Sequence, residues 1–327
     1  MIDFGLLWLL AAAIIFLVIA AVVAIILVAA ALTGGAYYVY RKVFFSDRTK
    51  KKSAYHGIDK RGFAPYTERV RALIDEISRI PYEDVYITAR DGIRLRARYY
   101  HVSDAAPVEI QFHGYRDNPY RDMAGSALCC LKDGNNLLLV DQRGGGESGG
   151  KVITFGILER YDVIAWTHYV ARRFGEDKKI LLFGISMGAA SVLMASGEDL
   201  PRSVRGAVAD CPYSSPIEII GIVGAKKGVP AFLARLFAII GARLFGGFSI
   251  LESNAVAAVK KSSVPILLIH GDSDSLVPFY MSEEISAASQ NVTFERFCAA
   301  EHATSYLSDS ERYFSVLESF KNTVLKG

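Results

Sequence analysis

The sequence is poor in cysteine, and its cysteines do not form a pattern of metal ligands. Only Cys129, Cys130, Cys211 and Cys298 occur among 327 residues, and none has the C-x-x-C spacing typical of zinc sites. Adjacent residues such as Cys129 and Cys130 rarely bridge each other, because a disulfide needs a wider Cα separation. We therefore expect buried, reduced thiols, no metal ion and a reducing compartment.

Net charge is small as well. The 37 Lys and Arg residues barely outnumber the 34 Asp and Glu residues, which gives a formal charge of +3 at pH 7. Nucleic-acid binding depends on many clustered cations, so we expect no nucleic-acid partner. The basic residues that do cluster follow the apolar N-terminus, where they bear on membrane topology instead.

Charged side chains are missing from the run between Leu6 and Leu32, which is 27 residues long. About 20 apolar residues cross the core of a bilayer, so this run is long enough to span it with some tilt. A cleavable signal peptide normally has a basic first region and a shorter apolar core, whereas Asp3 is the one charged residue before this run. We predict a retained, single-pass transmembrane anchor within residues 1–35.

Basic residues follow the predicted span closely, and no Lys or Arg precedes it. They are Arg41, Lys42, Arg48, Lys50, Lys51 and Lys52. The positive-inside rule therefore places the rest of the chain on the cytoplasmic face and the short N-terminus outside. Tyr37, Tyr38 and Tyr40 fit the aromatic belt of the interface. The rule has exceptions, so an extracytoplasmic domain is the alternative.

The remaining chain divides into a short segment and one large domain. Residues 36–80 are interpreted as a juxtamembrane linker and a helix from about Thr67 to Ile80, before Pro81. In residues 81–327 strands and helices alternate, and the first two strands flank the turn signal Asp91-Gly92. Several later strands are continuous apolar runs, as in a parallel sheet covered on both faces. Strands are predicted at 85–90, 94–101, 108–112, 136–140, 179–183, 206–210, 264–269 and 292–298, and helices at about 122–132, 157–174, 187–197, 280–290 and 309–325.

The strongest chemical signal is the pentapeptide G-I-S-M-G at 184–188, which follows a predicted strand and precedes a predicted helix. In a G-x-S-x-G turn the serine backbone is strained, and the glycines allow the strand and the helix to meet closely. The hydroxyl of Ser186 is thereby lifted clear of the sheet at a helix N-terminus. The motif predicts a nucleophilic serine.

A serine hydroxyl needs a base, and the base needs an orienting carboxylate. Downstream, the segment HGDSDSLVP at 270–278 and His302 both follow predicted strands. His302 is the only one of six histidines beyond the acidic segment, so we predict that it is the base. His270 is expected to make structural hydrogen bonds. From the residues alone, Asp272 and Asp274 are equal candidates for the acid.

Two further motifs accompany these, HGY at 113–115 and DQRGGGESG at 141–149. Taken in order, the four motifs resemble those of the α/β-hydrolase superfamily over about residues 85–325. The anchored form is similar to the uncharacterised bacterial cell-surface hydrolase and BEM46-like groups. The resemblance implies an α/β fold with a mostly parallel, eight-stranded sheet and helices on both faces. The sequence departs from the pattern at Gly145, where relatives often have His.

The resemblance also implies roles for single residues. It makes Asp274 the triad acid and puts Asp272 in the supporting loop. It assigns the oxyanion hole to the backbone N–H groups of Met187 and Tyr115, and it requires no cofactor. His113 is expected to hold the oxyanion loop. Asp141, Gln142 and Arg143 are interpreted as an ion-pair element, and Arg116, Asp117 and Asn118 as residues that touch substrate or are solvated.

One insertion, at about 214–262, does not fit the alternation of strands and helices. It contains the apolar stretch 230–248, which Arg235 and Arg243 interrupt, so a second span is disfavoured. Phe232, Leu236, Ile239 and Ile240 fall near one helical face. We interpret the insertion as a helical lid that touches lipid. An ordinary helical insertion packed on the core is the alternative.

The predicted function is hydrolysis of an acyl ester or thioester by a Ser186–His302–Asp274 triad through an acyl-enzyme. The anchor and the apolar lid favour a small-molecule or lipid-like acyl substrate, or an acylated protein. A prolyl-oligopeptidase-like serine peptidase is the first alternative, because its motifs overlap with these. A catalytically inert, membrane-tethered interaction module is the second.

Overall fold

The structure, a computed structural model, describes residues 4–47 and 53–326. Arg48, Lys50, Lys51 and Lys52, four of the six cations used to predict the membrane orientation, lie outside the described residues. Arg41 and Lys42 are described and are exposed.

An eight-stranded sheet forms the centre of the fold, with strand order β1-β2-β4-β3-β5-β6-β7-β8. Strand β2 runs antiparallel to β1 and β4, and the other neighbours are parallel. The predicted mostly parallel sheet is therefore confirmed. Its strands are β1 Glu83–Thr88, β2 Arg94–Tyr100, β3 Val108–Phe112, β4 Asn136–Asp141, β5 Ile180–Ile185, β6 Val204–Asp210, β7 Ile266–Gly271 and β8 Val292–Phe297.

The predicted strand bounds are correct to within about two residues. The first predicted strand extended to residue 90, but β1 ends at Thr88 because the N–H of Ala89 already bonds to the carbonyl of Ile93 across the hairpin turn. Every residue of β3, β4, β5 and β7 is buried. This explains their continuous apolar sequences, since strands covered on both faces have no solvent side.

Helices cover both faces of the sheet. Alternate strand residues point to opposite faces, so Leu137 and Leu139 of β4 join one core while Leu138 and Val140 join the other. The helices are α1 Phe4–Val39, α2 Thr67–Ser78, α3 Pro119–Lys132, α4 Glu159–Phe174, α5 Met187–Ser196, α6 Pro216–Lys226, α7 Ala231–Gly241, α8 Ala255–Val259, α9 Tyr280–Ser286, α10 Ser305–Ser308 and α11 Ser310–Lys326, with a π-helical turn at Tyr40–Phe44, a 3₁₀ turn at Arg61–Tyr66 and a second π-helical turn at Ala242–Gly246.

Helix α1 is long and apolar enough to cross a membrane by length and composition, and none of the other described residues covers its apolar part. The boundary predicted at residue 35 between anchor and linker does not coincide with the end of a helix. Helix α1 continues to Val39 and passes directly into the π-helical turn. Ala36 and Phe44 are fully buried. The first part of the predicted linker is therefore packed against the domain.

A third apolar cluster joins the end of α1 to the insertion at 214–262. Phe44 packs edge-on against Phe155 and Phe248, with ring centroids 5.9 and 5.3 Å apart. In the same cluster lie Met187, next to the candidate nucleophile, and Val277 in the acidic loop. The insertion and the end of α1 thus form one apolar wall beside the carboxyl ends of the strands.

Candidate active site

The sharp turn after β5 presents Ser186. Its backbone has φ 55° and ψ −115°, a conformation that L residues seldom adopt and that costs on the order of 1–3 kcal/mol. A Cβ on Gly184 would overlap the backbone of Gly188, and a Cβ on Gly188 would overlap the carbonyl of Phe112. Only glycine fits at these two positions, which is why the turn can bring strand and helix so close together.

The structure brings Ser186, His302 and Asp274 together, although they come from three separate loops. Oγ of Ser186 lies 3.0 Å from Nε2 of His302, and Nδ1 of His302 lies 2.6 Å from Oδ2 of Asp274. Nδ1 therefore donates to the carboxylate, and Nε2 is left to accept from the serine hydroxyl. This is the geometry of a nucleophile, a base and an orienting acid.

Asp274 is held from both sides. Its Oδ1 accepts the N–H groups of Leu276 and Val277, each at 2.8 Å. Its Oδ2 is shared between His302 and the buried His270, whose Nε2 lies 3.1 Å away. Nδ1 of His270 is bonded in turn to the hydroxyl of Ser282 at 2.6 Å. His270 therefore makes structural hydrogen bonds and supports the acid.

Asp272 points away from this group. Its carboxylate pairs with Arg296 at 2.8 Å and accepts the N–H of Ala299 at 2.7 Å. The loop thus directs Asp274, and not Asp272, at His302.

The pKa values of the pair follow from opposing effects. Burial raises the pKa of Asp274, but the nearby imidazoles of His302 and His270 outweigh it and hold the pKa well below its usual range. For His302, burial lowers the pKa, and the Asp274 carboxylate reverses this, so that the net pKa is raised above 6.5. Asp274 is therefore ionised, and it favours the imidazolium that a base forms during proton transfer.

The two predicted oxyanion donors belong to segments that adjoin Ser186. Met187 is the first residue of α5, and the first N–H groups of a helix have no intrahelical acceptor. Tyr115 follows Gly114, where a Cβ would lie 3.5 Å from Cβ of Ser186. The N–H of Gly114 is fixed by Oδ2 of Asp122 at 2.8 Å. Asp122 was not among the predicted residues, and its place in a helix gave no signal of this role.

His113 joins two loops behind the site. Its Nδ1 lies 2.8 Å from the carbonyl of Gly114, and its Nε2 lies 3.1 Å from the backbone N–H of Gln142. Burial lowers the pKa of His113, which fits a neutral ring that donates at Nδ1 and accepts at Nε2. The side-chain amide of Gln142 donates to the carbonyl of His113. These contacts tie the loop after β3 to the loop after β4.

The three residues after Tyr115 serve the structure of the loop. Arg116, with φ 53°, donates to the carbonyl of Phe45. Asp117 pairs with Arg121. Asn118 caps α3 by accepting the N–H groups of Tyr120 and Arg121, each at 3.1 Å. Each of the three side chains therefore has a partner within the protein, and none is simply solvated.

The segment 141–143 lies in a network of ion pairs. Asp141 accepts from Arg96 and Arg98 at 3.0 and 3.1 Å, and Arg143 pairs with Asp162 at 2.6 Å. All are buried or nearly so, and the network fixes the loop against β2 and α4.

Asp210 is a second carboxylate near the site that the sequence analysis did not single out. It ends β6, it is fully buried, and its carbonyl accepts the N–H of Ser186 at 2.8 Å. Its Oδ2 accepts from the hydroxyl of Tyr313 at 2.8 Å, and its Oδ1 has no partner within the described residues. Burial raises the pKa of Asp210 to about 6. Its position at the end of an apolar strand was the one sequence signal, and the pairing of that strand with β5 is known only from the structure.

Cys211 lies beside the triad, with its Sγ and the nearest atoms of Asp274 and His302 all within 4.8 Å of one another. Burial raises the pKa of this thiol well above its usual range. The protonated thiol is a poor metal ligand, and the two ring nitrogens of His302 already bond to Asp274 and Ser186.

No family model matches the chain. Among curated proteins it is similar to the uncharacterized protein YqkD of Bacillus subtilis, at 26% identity over 225 residues that make up 68% of this chain and 73% of that protein. An uncharacterized protein of Mycobacterium tuberculosis is 31% identical over 209 residues, which are 63% of this chain and 66% of its own length. The Arabidopsis thaliana protein WAV2, described as containing an alpha/beta hydrolase domain, is 23% identical over 71% of this chain and 76% of its own length.

Solved structures with a similar fold include two esterases. The esterase Pf2001 of Pyrococcus furiosus aligns with a TM-score of 0.59 at 25% identity, over 76% of this chain and 92% of the esterase. Est1E of Butyrivibrio proteoclasticus, solved with ferulic acid bound, aligns with a TM-score of 0.58 at 20% identity, over 74% of this chain and all of that chain. These likenesses establish the fold and support hydrolase activity in general.

Proposed function

Because the chain belongs to the α/β-hydrolase superfamily, we propose that it is a serine hydrolase that cleaves an acyl ester or thioester with Ser186 as nucleophile. The observation that carries the proposal is the continuous hydrogen-bonded path from Oγ of Ser186 through His302 to Asp274. A serine without such a path is a weak nucleophile at neutral pH.

The reaction has two halves. In the first, Nε2 of His302 takes the proton of Ser186 as Oγ attacks the acyl carbon, and the proton then passes to the leaving alcohol or thiol. In the second, His302 deprotonates a water that attacks the acyl-enzyme, and the returned proton restores the serine. The N–H groups of Tyr115 and Met187 stabilise the negative charge of both tetrahedral intermediates, each donor being worth about 2.7–4 kcal/mol where such donors have been removed.

The acyl group is proposed to be apolar. Aromatic rings adjoin the oxyanion loop, with the ring of Phe155 4.9 Å from that of Tyr115 and 6.2 Å from that of Tyr213. Together with the wall formed by Met187 and Val277, they provide a surface that suits an acyl chain better than a charged group. Helix α1 would tether this site to a membrane, with the domain on the cytoplasmic face.

The direct test is labelling of the detergent-solubilised full chain by a fluorophosphonate probe. Wild type and the control Ser273→Ala, which removes an exposed serine from the acidic loop, should both label. Ser186→Ala should not. Labelling that persists in Ser186→Ala would identify another nucleophile, and folded wild-type protein that never labels would favour the inert interaction module.

A second assay separates the substrate classes. We expect hydrolysis of acyl esters and thioesters that changes with chain length and is lost in Ser186→Ala. Cleavage of peptide amides with none of acyl esters would instead support the peptidase.

A further inference from the structure

The outward face of α7 carries apolar side chains that the described chain leaves partly or largely exposed. Phe232, Leu236 and Ile239 are exposed, with Phe232 at 68%. They are spaced i, i+4 and i+7 and so form one stripe along the helix. Ile240, which the sequence placed on the same face, is half-buried. The opposite face of α7 consists of the small buried residues Ala234, Ala238 and Gly241.

This small-residue face packs against the end of α1. A Cβ on Gly241 would lie 2.6 Å from the carbonyl oxygen of Ala36, and one on Gly35 would lie 2.8 Å from the ring of Phe237. The two helices therefore cross in close contact. Since a helix rises 1.5 Å per residue, the crossing lies only about 5–6 Å beyond Leu32, where the strongly apolar run ends.

The depth of α7 follows from this crossing. If α1 spans a bilayer, a helix that touches it one turn beyond its apolar run lies at the level of the headgroups. Interfacial helices bury their apolar faces about 5–10 Å into that region. Tyr37 and Tyr38, which are exposed at the same level, are residues that favour the interface.

Exposed cations lie in the chain just before and just after α7, and just after α1. Arg41 and Lys42 follow α1, Lys227 lies in the turn between α6 and α7, and Arg243 follows α7. All four are exposed and none takes part in an ion pair within the described residues. The nearby Glu218 is paired with Arg235. A face that is apolar in the middle and basic at its edges complements anionic lipid.

We propose that the α7 stripe inserts into the anionic leaflet from which α1 emerges, as a second membrane contact beside the span. The proposal rests on the membrane anchoring in the proposed function and adds a fixed orientation to it. Two contacts, unlike a single tether, prevent the domain from turning about the anchor. The apolar wall beside Ser186, which includes the buried Ala238 of α7, is then held close to the lipid surface from which an acyl substrate would come.

The test places a fluorophore on the stripe in the full chain. Phe232→Cys is labelled with an NBD dye in a Cys298→Ser background, since Cys298 is an exposed native thiol, and the protein is reconstituted in nanodiscs of phosphatidylcholine and phosphatidylglycerol. Val102→Cys is the matched control, because Val102 is exposed and follows β2 at the end of the sheet opposite the carboxyl ends of the parallel strands.

We expect lipids whose acyl chains are brominated close to the headgroup to quench most of the NBD fluorescence at position 232. The same lipids should not quench the dye at position 102. Quenching of both positions by aqueous iodide, with no effect of brominated lipid, would overturn the proposal. Protection of position 232 from iodide without quenching by brominated lipid would overturn it too, because the stripe would then be covered by protein, such as a second copy of this chain.

The charge contribution is tested in the same system. The double variant Lys227→Glu, Arg243→Glu should reduce the quenching at position 232 in anionic nanodiscs, while Lys260→Glu, an exposed change directly after α8, should not. Equal quenching in the labelled parent, the double variant and Lys260→Glu would show that insertion of the stripe does not depend on anionic lipid. These readouts need no turnover, so they stay informative even if Ser186 proves not to react with the fluorophosphonate.

Discussion

The hydroxyl of Tyr115 donates a hydrogen bond of 2.6 Å to the carbonyl of Val43, and this contact ties the candidate oxyanion loop to the end of the N-terminal helix. The next residue, Arg116, donates to the carbonyl of Phe45, and Phe45 pairs with Val152 in an antiparallel bridge. Burial raises the pKa of Tyr115 to about 12, so the phenol keeps its proton. The segment that leaves α1 is thereby part of the scaffold of the site.

Tyr115→Phe should lower kcat several-fold with little change in KM. The substitution leaves the backbone N–H in place but frees the loop, and the lost hydrogen bond costs about 1 kcal/mol of stability. Ester hydrolysis and thermal unfolding measure the two effects. Tyr82→Phe, at an exposed tyrosine, is the control, and an unchanged kcat in Tyr115→Phe would show that the loop does not depend on Val43.

Phe44→Ala should destabilise the protein by about 3–5 kcal/mol, as expected for truncation of a buried aromatic residue. Phe44 is fully buried between Phe155 and Phe248. Phe232→Ala is the matched control and should stay within about 0.5 kcal/mol in detergent, since its side chain is exposed. Denaturant unfolding gives both values. Equal stability of the two variants would mean that residues 36–46 do not belong to the folded domain.

Asp274→Asn should lower kcat/KM by about 10⁴-fold, because an amide at this position no longer holds the His302 tautomer that accepts from serine. Asp272→Asn should have a small effect, since its carboxylate pairs with Arg296 instead. Steady-state kinetics on one ester compares them. A larger loss in Asp272→Asn would reverse the choice of acid.

The pH profile of kcat/KM should have an acid limb above pH 6.5. His302 must be neutral to accept a proton, and the Asp274 carboxylate outweighs burial and raises its pKa. Removing that charge in Asp274→Asn should move the limb of the residual activity to lower pH. A limb that does not move would show that another group titrates.

Asp210→Asn should stabilise the protein at alkaline pH. The buried carboxyl has a pKa of about 6 in the folded chain against 3.8 as its ordinary value. Its protonated form therefore stabilises the fold fully below pH 3.8, and this contribution is lost as pH rises through about 6. Thermal unfolding between about pH 5 and pH 8 should show a smaller decline in Asp210→Asn than in wild type. Asp104→Asn, a change at an exposed carboxylate, is the control. Its thermal stability should fall with pH as much as that of wild type.

Much of the fold could be predicted because its signals are local. The continuous apolar strands and the glycines around Ser186 report burial and close backbone approach within a few residues of sequence. The roles of Asp122 and Asp210 could not, because a buried carboxylate is recognised by what surrounds it. Asp122 meets Gly114 eight residues away, and Asp210 meets Tyr313 across 103 residues.

The sequence by itself determined the eight strands, the serine turn and an apolar N-terminal helix, since periodicity and glycine sterics act over short distances. The residues alone left Asp272 and Asp274 open. The resemblance favoured Asp274, but only the tertiary structure gives the directions of the two carboxylates, because the hydrogen bonds that turn Asp274 inward join it to its own folded loop and to His302. It alone also placed Val43 against Tyr115 and α7 against α1. Such contacts depend on packing between distant segments, which no local pattern encodes.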